Sequence, residues 1–275
     1  MGKYILDNLK LIKEDSLKIG LRNRSFLYGD GFFESIRVIN KKTINLYYHQ
    51  KRIEKSLKYL MFDLNIDFTN FNEKLEELIK KNNIADGIIK VIVFRDSLGK
   101  YFPFSNKSRI IIQSQKCNNT FNEVNKGLKL GLFLNEKKIA GVISNFKTTS
   151  SILYVLASIY SKKNNFDDVL ILNNDNLVIE STNSNLFIFK QNKLITPPIS
   201  DGCIDGTFRS FIVENFNVIE KSITLDEINE ADELFLTNSV SGIRRVGKFL
   251  KRRYESKELT NNLLKEALDY LYLQS

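Results

Sequence analysis

Near its middle the chain carries the string QKCNNTFNEVNK, residues 115 to 126, polar and rich in asparagine, between two stretches in which apolar runs recur. A segment of that composition is a connection, not part of a core. With 275 residues the chain can bury two cores. The expected organisation is therefore a small N-terminal domain over 1–115, a linker over 116–124 and a larger C-terminal domain over 125–275. Both halves mix strand-like and helical runs, an α/β chain built as two α+β domains.

In the first half, strands are expected at 17–21, 35–40 and 43–47, the last two joined as a hairpin at Asn40, Lys41 and Lys42. Residues 24–35, with Gly29 and Gly31, are expected as a tight loop. Gly29 and Gly31 begin a dinucleotide fingerprint, but Glu34 stands where the third glycine belongs. Helical spacing marks 49–61, through Ile53, Leu57, Leu60 and Met61, and 70–81, through Phe71, Leu75, Leu78 and Ile79. His49 and Arg52 share a face at the start of the first helix. Further strands are expected at 88–94 and 109–114. In the second half they are expected at 128–135, 168–172, 177–180, 185–190, 193–196 and 233–236. Helices are expected from Ile152 (buried in appearance), over 207–215, near Asp226 and over 259–272.

Composition removes several function classes. The charge is +9, from 41 Lys+Arg against 32 Asp+Glu, yet no run reaches five or six like charges, so no nucleic-acid partner is expected. Cys117 and Cys203 form no CxxC pair. A single histidine excludes three-His zinc sites and HExxH proteases, and no G-x-S-x-G elbow is present, so no metal is expected. The N-terminus lacks a long apolar signal region, and no apolar run approaches the roughly 18 residues of a membrane span. A cytoplasmic protein without a membrane partner is expected.

The segment from Ser144 to Ser151 is a polar turn carrying one lysine, Lys147, with Ser150 or Ser151 placed to cap the helix that follows. A lysine near a helix N-terminus is disfavoured as the ammonium, which suits a nucleophilic amine. Further on come a carboxylate at a strand end (Glu180), a glycine followed by a helix start (Gly206, then Thr207 and Phe208) and a hydroxyl-rich strand end (Thr237 to Ser239). Lysine, carboxylate and anion site together match a cofactor with an aldehyde, a ring nitrogen and a phosphate, which is pyridoxal 5'-phosphate.

Six strings in order carry a resemblance: YGDGFFESIRV at 28–38, HQKR at 49–52, FK at 146–147, IESTNSNLF at 179–187, CIDGTFR at 203–209 and FLTNSVSGI at 235–243. The chain resembles the fold-type-IV, class IV aminotransferase family, which includes branched-chain and D-amino-acid aminotransferases and 4-amino-4-deoxychorismate lyase. The resemblance implies a small N-terminal domain, a larger β-barrel-like domain with helices, a site between them and a homodimer. It implies that Lys147 is the Schiff-base lysine and proton carrier, and that Glu180 is the partner of the pyridine nitrogen. Arg52, the backbone of Thr207 and Phe208 and the side chain of Ser239 would hold the cofactor's phosphate, and Asn238 would be a further cofactor-binding residue. Tyr28, Phe33, Ser35, Arg95 and Tyr101 would face a small-molecule amine substrate.

Within that family, Ser35, the string from Cys203, the LTNSVSGI string and the Arg95–Gly99–Tyr101 loop look most like the lyases. Two positions depart from family patterns: Ile152 stands where branched-chain enzymes carry a tyrosine, and Ser150 where many relatives carry asparagine. The leading expectation is aminodeoxychorismate lyase, forming 4-aminobenzoate and pyruvate for folate synthesis. An amino-acid aminotransferase is second, and a non-catalytic basic binding protein a distant third.

Overall fold

Runs dense in isoleucine and valine build the first sheet, because β-branched side chains fit a pleated, half-buried surface. The structure, a computed structural model, describes residues 3–118, 121 and 127–273. Two compact units form: Met1–Asn119 with Lys147–Ser150, and Thr120–Phe146 with Ser151–Gln274. Lys147–Ser150, expected inside the larger domain, thus belong to the first unit. The linker expected over 116–124 falls largely outside the described residues.

The first unit contains β1 (Tyr4–Asp7), β2 (Lys10–Lys13), α1 (Arg24–Tyr28), β3 (Gly31–Ile39), β4 (Lys42–Thr43), α2 (Leu46–Tyr59), α3 (Phe68–Lys81), β5 (Gly87–Arg95) and β6 (Ser108–Lys116). Its sheet runs β2-β1-β6-β5-β3-β4, antiparallel throughout. Phe32, Ile36 and Val38 of β3 pack with Ile89, Val91 and Val93 of β5 against Ile53 of α2 and Phe71, Leu75 and Leu78 of α3. Asn40 and Lys41 both take positive φ, 49° and 67°, the two-residue hairpin geometry that matches strand twist.

Three expectations fail here. Residues 17–21 form no strand. β4 ends at Thr43, and Tyr47 lies in α2. The supposed loop 24–35 holds α1, capped by the Asn23 side chain on Phe26 N and ended by Gly29 at φ 65°.

The second unit contains β7 (Leu128–Lys138), α4 (Ile152–Lys163), β8 (Asp168–Asn173), β9 (Val178–Ser181), β10 (Asn185–Lys190), β11 (Lys193–Thr196), α5 (Thr207–Asn215), β12 (Val218–Glu220), α6 (Leu225–Glu230), β13 (Glu233–Asn238), β14 (Gly242–Phe249), β15 (Arg252–Arg253) and α7 (Glu258–Leu273). Along the order β10-β13-β14-β7-β8-β9, the last strand pairs back to the first through Asn185 opposite Glu180. Six strands thereby close into a barrel. Leu130, Leu170, Val178, Leu186, Leu236 and Val246, one from each strand, share its core.

The parallel pair β7–β8 needs a crossover, and α4 supplies it. α4 buries Ala157 and Ser161, but Ile152, Val155, Leu156 and Ile159 form an exposed apolar stripe. The helix is therefore not the buried one its sequence suggests. No helix among the described residues is long and apolar enough to cross a membrane.

Candidate functional site

Lys147 is placed by backbone pairing. Phe33 N donates to Lys147 O at 3.0 Å, and Thr149 N donates to Gly31 O at 2.9 Å. Thr149 Oγ1 donates to Gly29 O at 2.8 Å. Residues 147–149 thus run as a short extra strand against the start of β3. Close approach of the segment is possible because position 29 is glycine: a Cβ there would meet Ser150 Cβ at 3.1 Å. The Lys147 ammonium lies 4.6 Å from the Phe33 ring centroid, and Lys90 Nζ lies at the same distance from that ring. The lysine is half-buried.

Beside it sits a buried charge cluster. Glu34 accepts from Arg52 Nε at 2.7 Å, from Arg52 Nη2 at 2.6 Å and pairs with His49 Nδ1 at 2.7 Å. Burial works to raise the Glu34 pKa, but the Arg52 charge and the His49 and Arg52 hydrogen bonds outweigh it and hold the carboxyl at about 2. His49 is pushed below its ordinary value, first by burial, against the pull of Glu34, with the Arg52 and Lys147 charges adding to the depression. The arrangement fixes the Arg52 guanidinium by a two-point fork.

In the second unit the carboxylate of Glu180 reaches its position through a bulge. Leu172 pairs with Val178 and Ile171 with Glu180, which leaves Ile179 as an extra residue in β9. Strict alternation from Val178, a barrel-core residue, would send Glu180 into that core. With the bulge it lies on the side of Ile171 and Ile179, which pack with Ala157 and Cys203. Glu180 is buried, and it accepts from Lys138 Nζ at 2.6 Å, Tyr154 OH at 2.8 Å and Ile204 N at 2.8 Å. Burial, more than Glu180, pushes the neighbouring Tyr154 phenol up, and burial also raises the Cys203 thiol to about 12. Both remain protonated at neutral pH.

The loop carrying Ile204 is pinned by Asn145 Nδ2 on Ile199 O and Cys203 O, 2.7 Å each, and by Asn185 Nδ2 on Ile204 O at 2.7 Å. It leads into α5, whose N-cap Gly206 has no side-chain cap. A Cβ on Gly206 would overlap Asn185 Oδ1. Thr237 lies opposite Asn185 on β13, and its buried Oγ1 has no hydrogen-bond partner among the described residues. An uncapped helix start, a glycine packed to contact and an orphaned hydroxyl fit a phosphate. A buried carboxylate, Glu180, in the same unit fits the ring nitrogen that pyridoxal phosphate carries beside its phosphate.

The expected substrate residues divide. Tyr28 and Tyr101 are brought together, ring centroids 5.7 Å apart, with the Arg24 guanidinium 5.1 Å from the Tyr28 ring. Phe33 and Ser35 share one half-buried face of β3. Arg95 is different. It is buried and donates to Met61 O, Leu60 O, Asn106 Oδ1 and Asp30 Oδ2 at 2.5–3.1 Å, so it ties loops together. Asn238 closes the β13–β14 turn, its Oδ1 accepting from Val240 N and Ser241 N. Thr207 and Phe208 are buried at the start of α5, and Ser239 is half-buried just past β13. Residue spacing did not reveal Glu34, Lys138 or Tyr154. Only Glu34 leaves a trace, a charge in the core-facing register of Phe32 and Ile36.

The family model for class IV amino-transferases matches residues 31–249. A putative branched-chain-amino-acid aminotransferase of Methanocaldococcus jannaschii is 27% identical over 95% of this chain and 94% of its own. D-alanine aminotransferase of Staphylococcus epidermidis is 22% identical over 88% of this chain and 87% of its own. Among solved structures, a putative 4-amino-4-deoxychorismate lyase of Legionella pneumophila superposes with TM-score 0.85 at 28% identity, covering 94% of this chain and 96% of the other.

Two outcomes test the cluster roles. Glu34 has a depressed folded pKa, so its contribution is complete above its ordinary value of 4.5 and drains as pH falls toward about 2. His49 resists a proton that the unfolded chain accepts, so stability also falls as pH drops below 6.5. In urea titrations, unfolding free energy should decline below that pH by up to ~1.4 kcal/mol per pH unit for each proton. His49→Gln should flatten the upper part of the decline and leave the part below pH 4.5. Arg95→Met should cost about 1–3 kcal/mol of stability by leaving Met61 O, Leu60 O and Asn106 Oδ1 without this donor, while Asp30 keeps Arg24 Nε at 2.6 Å. A substrate role would instead raise KM and leave urea unfolding unchanged.

Proposed function

The chain belongs to the class IV amino-transferases, pyridoxal-phosphate enzymes of fold type IV, and on that premise we propose that it is a lyase splitting 4-amino-4-deoxychorismate into 4-aminobenzoate and pyruvate. Overall identity does not choose among members, since 27% to a putative branched-chain enzyme and 28% to a putative lyase are equivalent. The observation that carries the reading is Ile152. At the position where branched-chain enzymes place a tyrosine hydroxyl, this chain has an aliphatic side chain that is 68% exposed.

When bound, pyridoxal phosphate withdraws electrons from the carbon bearing the substrate amine. Lys147 Nζ would hold the cofactor at its aldehyde and, as a neutral amine, would take the proton from the amine-bearing ring carbon of the substrate. Glu180 would pair with the ring nitrogen. Arg52, oriented by Glu34, and the backbone of Thr207 and Phe208 with Ser239 hold the phosphate, with Asn238 shaping the turn that presents Ser239. Tyr28, Phe33, Ser35 and Tyr101 form the substrate face, and Lys90 beside Phe33 offers a cation to a carboxylate-bearing substrate. Loss of pyruvate leaves an aromatic ring, so the cycle needs no second amino acceptor.

The working form is a homodimer. The exposed stripe on α4 and the exposed Phe26, Tyr28, Tyr101, Phe102 and Phe104 of the first unit support it, since contiguous exposed apolar patches mark interaction surfaces.

The amino-acid aminotransferase is the second reading, supported by the M. jannaschii relative. It shares Lys147 and Glu180 and differs in where the proton is returned. Incubated with aminodeoxychorismate and no keto acid, the enzyme should release pyruvate and 4-aminobenzoate in equal amounts. Turnover only of amino acids, and only with 2-oxoglutarate present, would overturn the lyase reading.

A further inference from the structure

The geometry points to Tyr154 as a positioning residue that, with Lys138, closes one oxygen of Glu180 and leaves the other to receive the cofactor's ring N–H. This rests on the reading of Glu180 as the ring-nitrogen partner. An ionised carboxylate offers about four lone-pair sites, two per oxygen. Oε1 accepts from Lys138 Nζ at 2.6 Å and from Tyr154 OH at 2.8 Å. Oε2 accepts from Ile204 N at 2.8 Å. Oε1 is therefore full, and Oε2 retains one site.

The three donors do more than select an oxygen. One is a cation and all come from fixed groups, so together they hold the carboxylate in one orientation. A carboxylate held in one orientation would keep Oε2 in line with the ring N–H. The phenol is a dependable donor because burial and the adjacent Glu180 charge both keep it protonated. Its ring is held as well, with Lys138 Nζ 5.3 Å from the centroid. Tyr154 sits in the first turn of α4 and Lys138 at the end of β7, so the helix and the strand each lock one side of the carboxylate. Neither residue lies in the six strings that mark the family resemblance.

The test is a titration of apo-protein with pyridoxal phosphate labelled with 15N in the ring, followed by the 15N resonance of the bound cofactor. Tyr154→Phe preserves the ring volume and removes one donor. Cofactor Kd should rise about tenfold, the size of one hydrogen bond to a charged group, and the 15N resonance should move toward the unprotonated ring. Lys138→Gln should move both readouts in the same direction, which covers a failure of the first variant to fold. Glu180→Gln is the reference and should show the largest displacement. If Glu180→Gln moves the resonance while Tyr154→Phe and Lys138→Gln leave it and Kd at the parent values, the positioning role is wrong and the Glu180 reading stands. If Glu180→Gln leaves the resonance in place, Glu180 is not the ring-nitrogen partner and the inference falls with it.

Discussion

A carboxylate removed from water must find donors for its lone pairs or take up a proton, and two glutamates impose that condition on this chain. Glu34 in the first unit and Glu180 in the second are both almost fully buried. Desolvating an ion costs several kcal/mol, and each site meets that cost with fixed donors: Arg52 and His49 around Glu34, and Lys138, Tyr154 and Ile204 N around Glu180. The donors come from elements distant in sequence, so each carboxylate fixes a strand against a helix or a loop. The groups proposed for chemistry are held by these arrangements. Arg52 is aimed by Glu34, and Glu180 is aimed by its own donors.

Backbone irregularity puts both sites where they are. Ile179 is the additional residue of a bulge, and without it Glu180 would point into the barrel core among Leu170, Leu186 and Val178. Lys147 reaches its place because residues 147–149 leave the second unit and pair with β3 at Gly31 and Phe33. In both cases a local departure from regular structure lifts a reactive group out of the packing pattern of its neighbours.

Where turn residues bracket a periodic run, the elements could be read from sequence. β10, β11 and α5 form over the residues expected, 185–190, 193–196 and 207–215, because Asn, Gly and Pro punctuate them and the apolar spacing is regular. Legibility failed where conformation depends on distant contacts. The β1–β2 hairpin turns through Asn8 and Leu9 with φ of 46° and 63°, and leucine gives no turn signal. Leu17 to Leu21 alternates like a strand but finds no ladder partner. The α4 stripe reads as core because an apolar face looks the same whether or not it is covered within its own chain. At the proposed site, motif order singled out Lys147, Glu180 and the Gly206 helix start. The donors around Glu180 were invisible, since the Lys138 and Tyr154 contacts are set by the bulge and by packing.

The proposed chemistry depends most on Lys147 being the amine that carries the cofactor, in a chain where Lys90 and Lys138 also sit beside buried or aromatic groups. Borohydride reduction of the protein loaded with pyridoxal phosphate, followed by peptide mass spectrometry, identifies the attached lysine directly. The expected result is a single pyridoxyl group on the peptide containing Lys147, absent from Lys147→Ala. A stoichiometric label on Lys138 or Lys90, or a label that survives in Lys147→Ala, would contradict the site assignment.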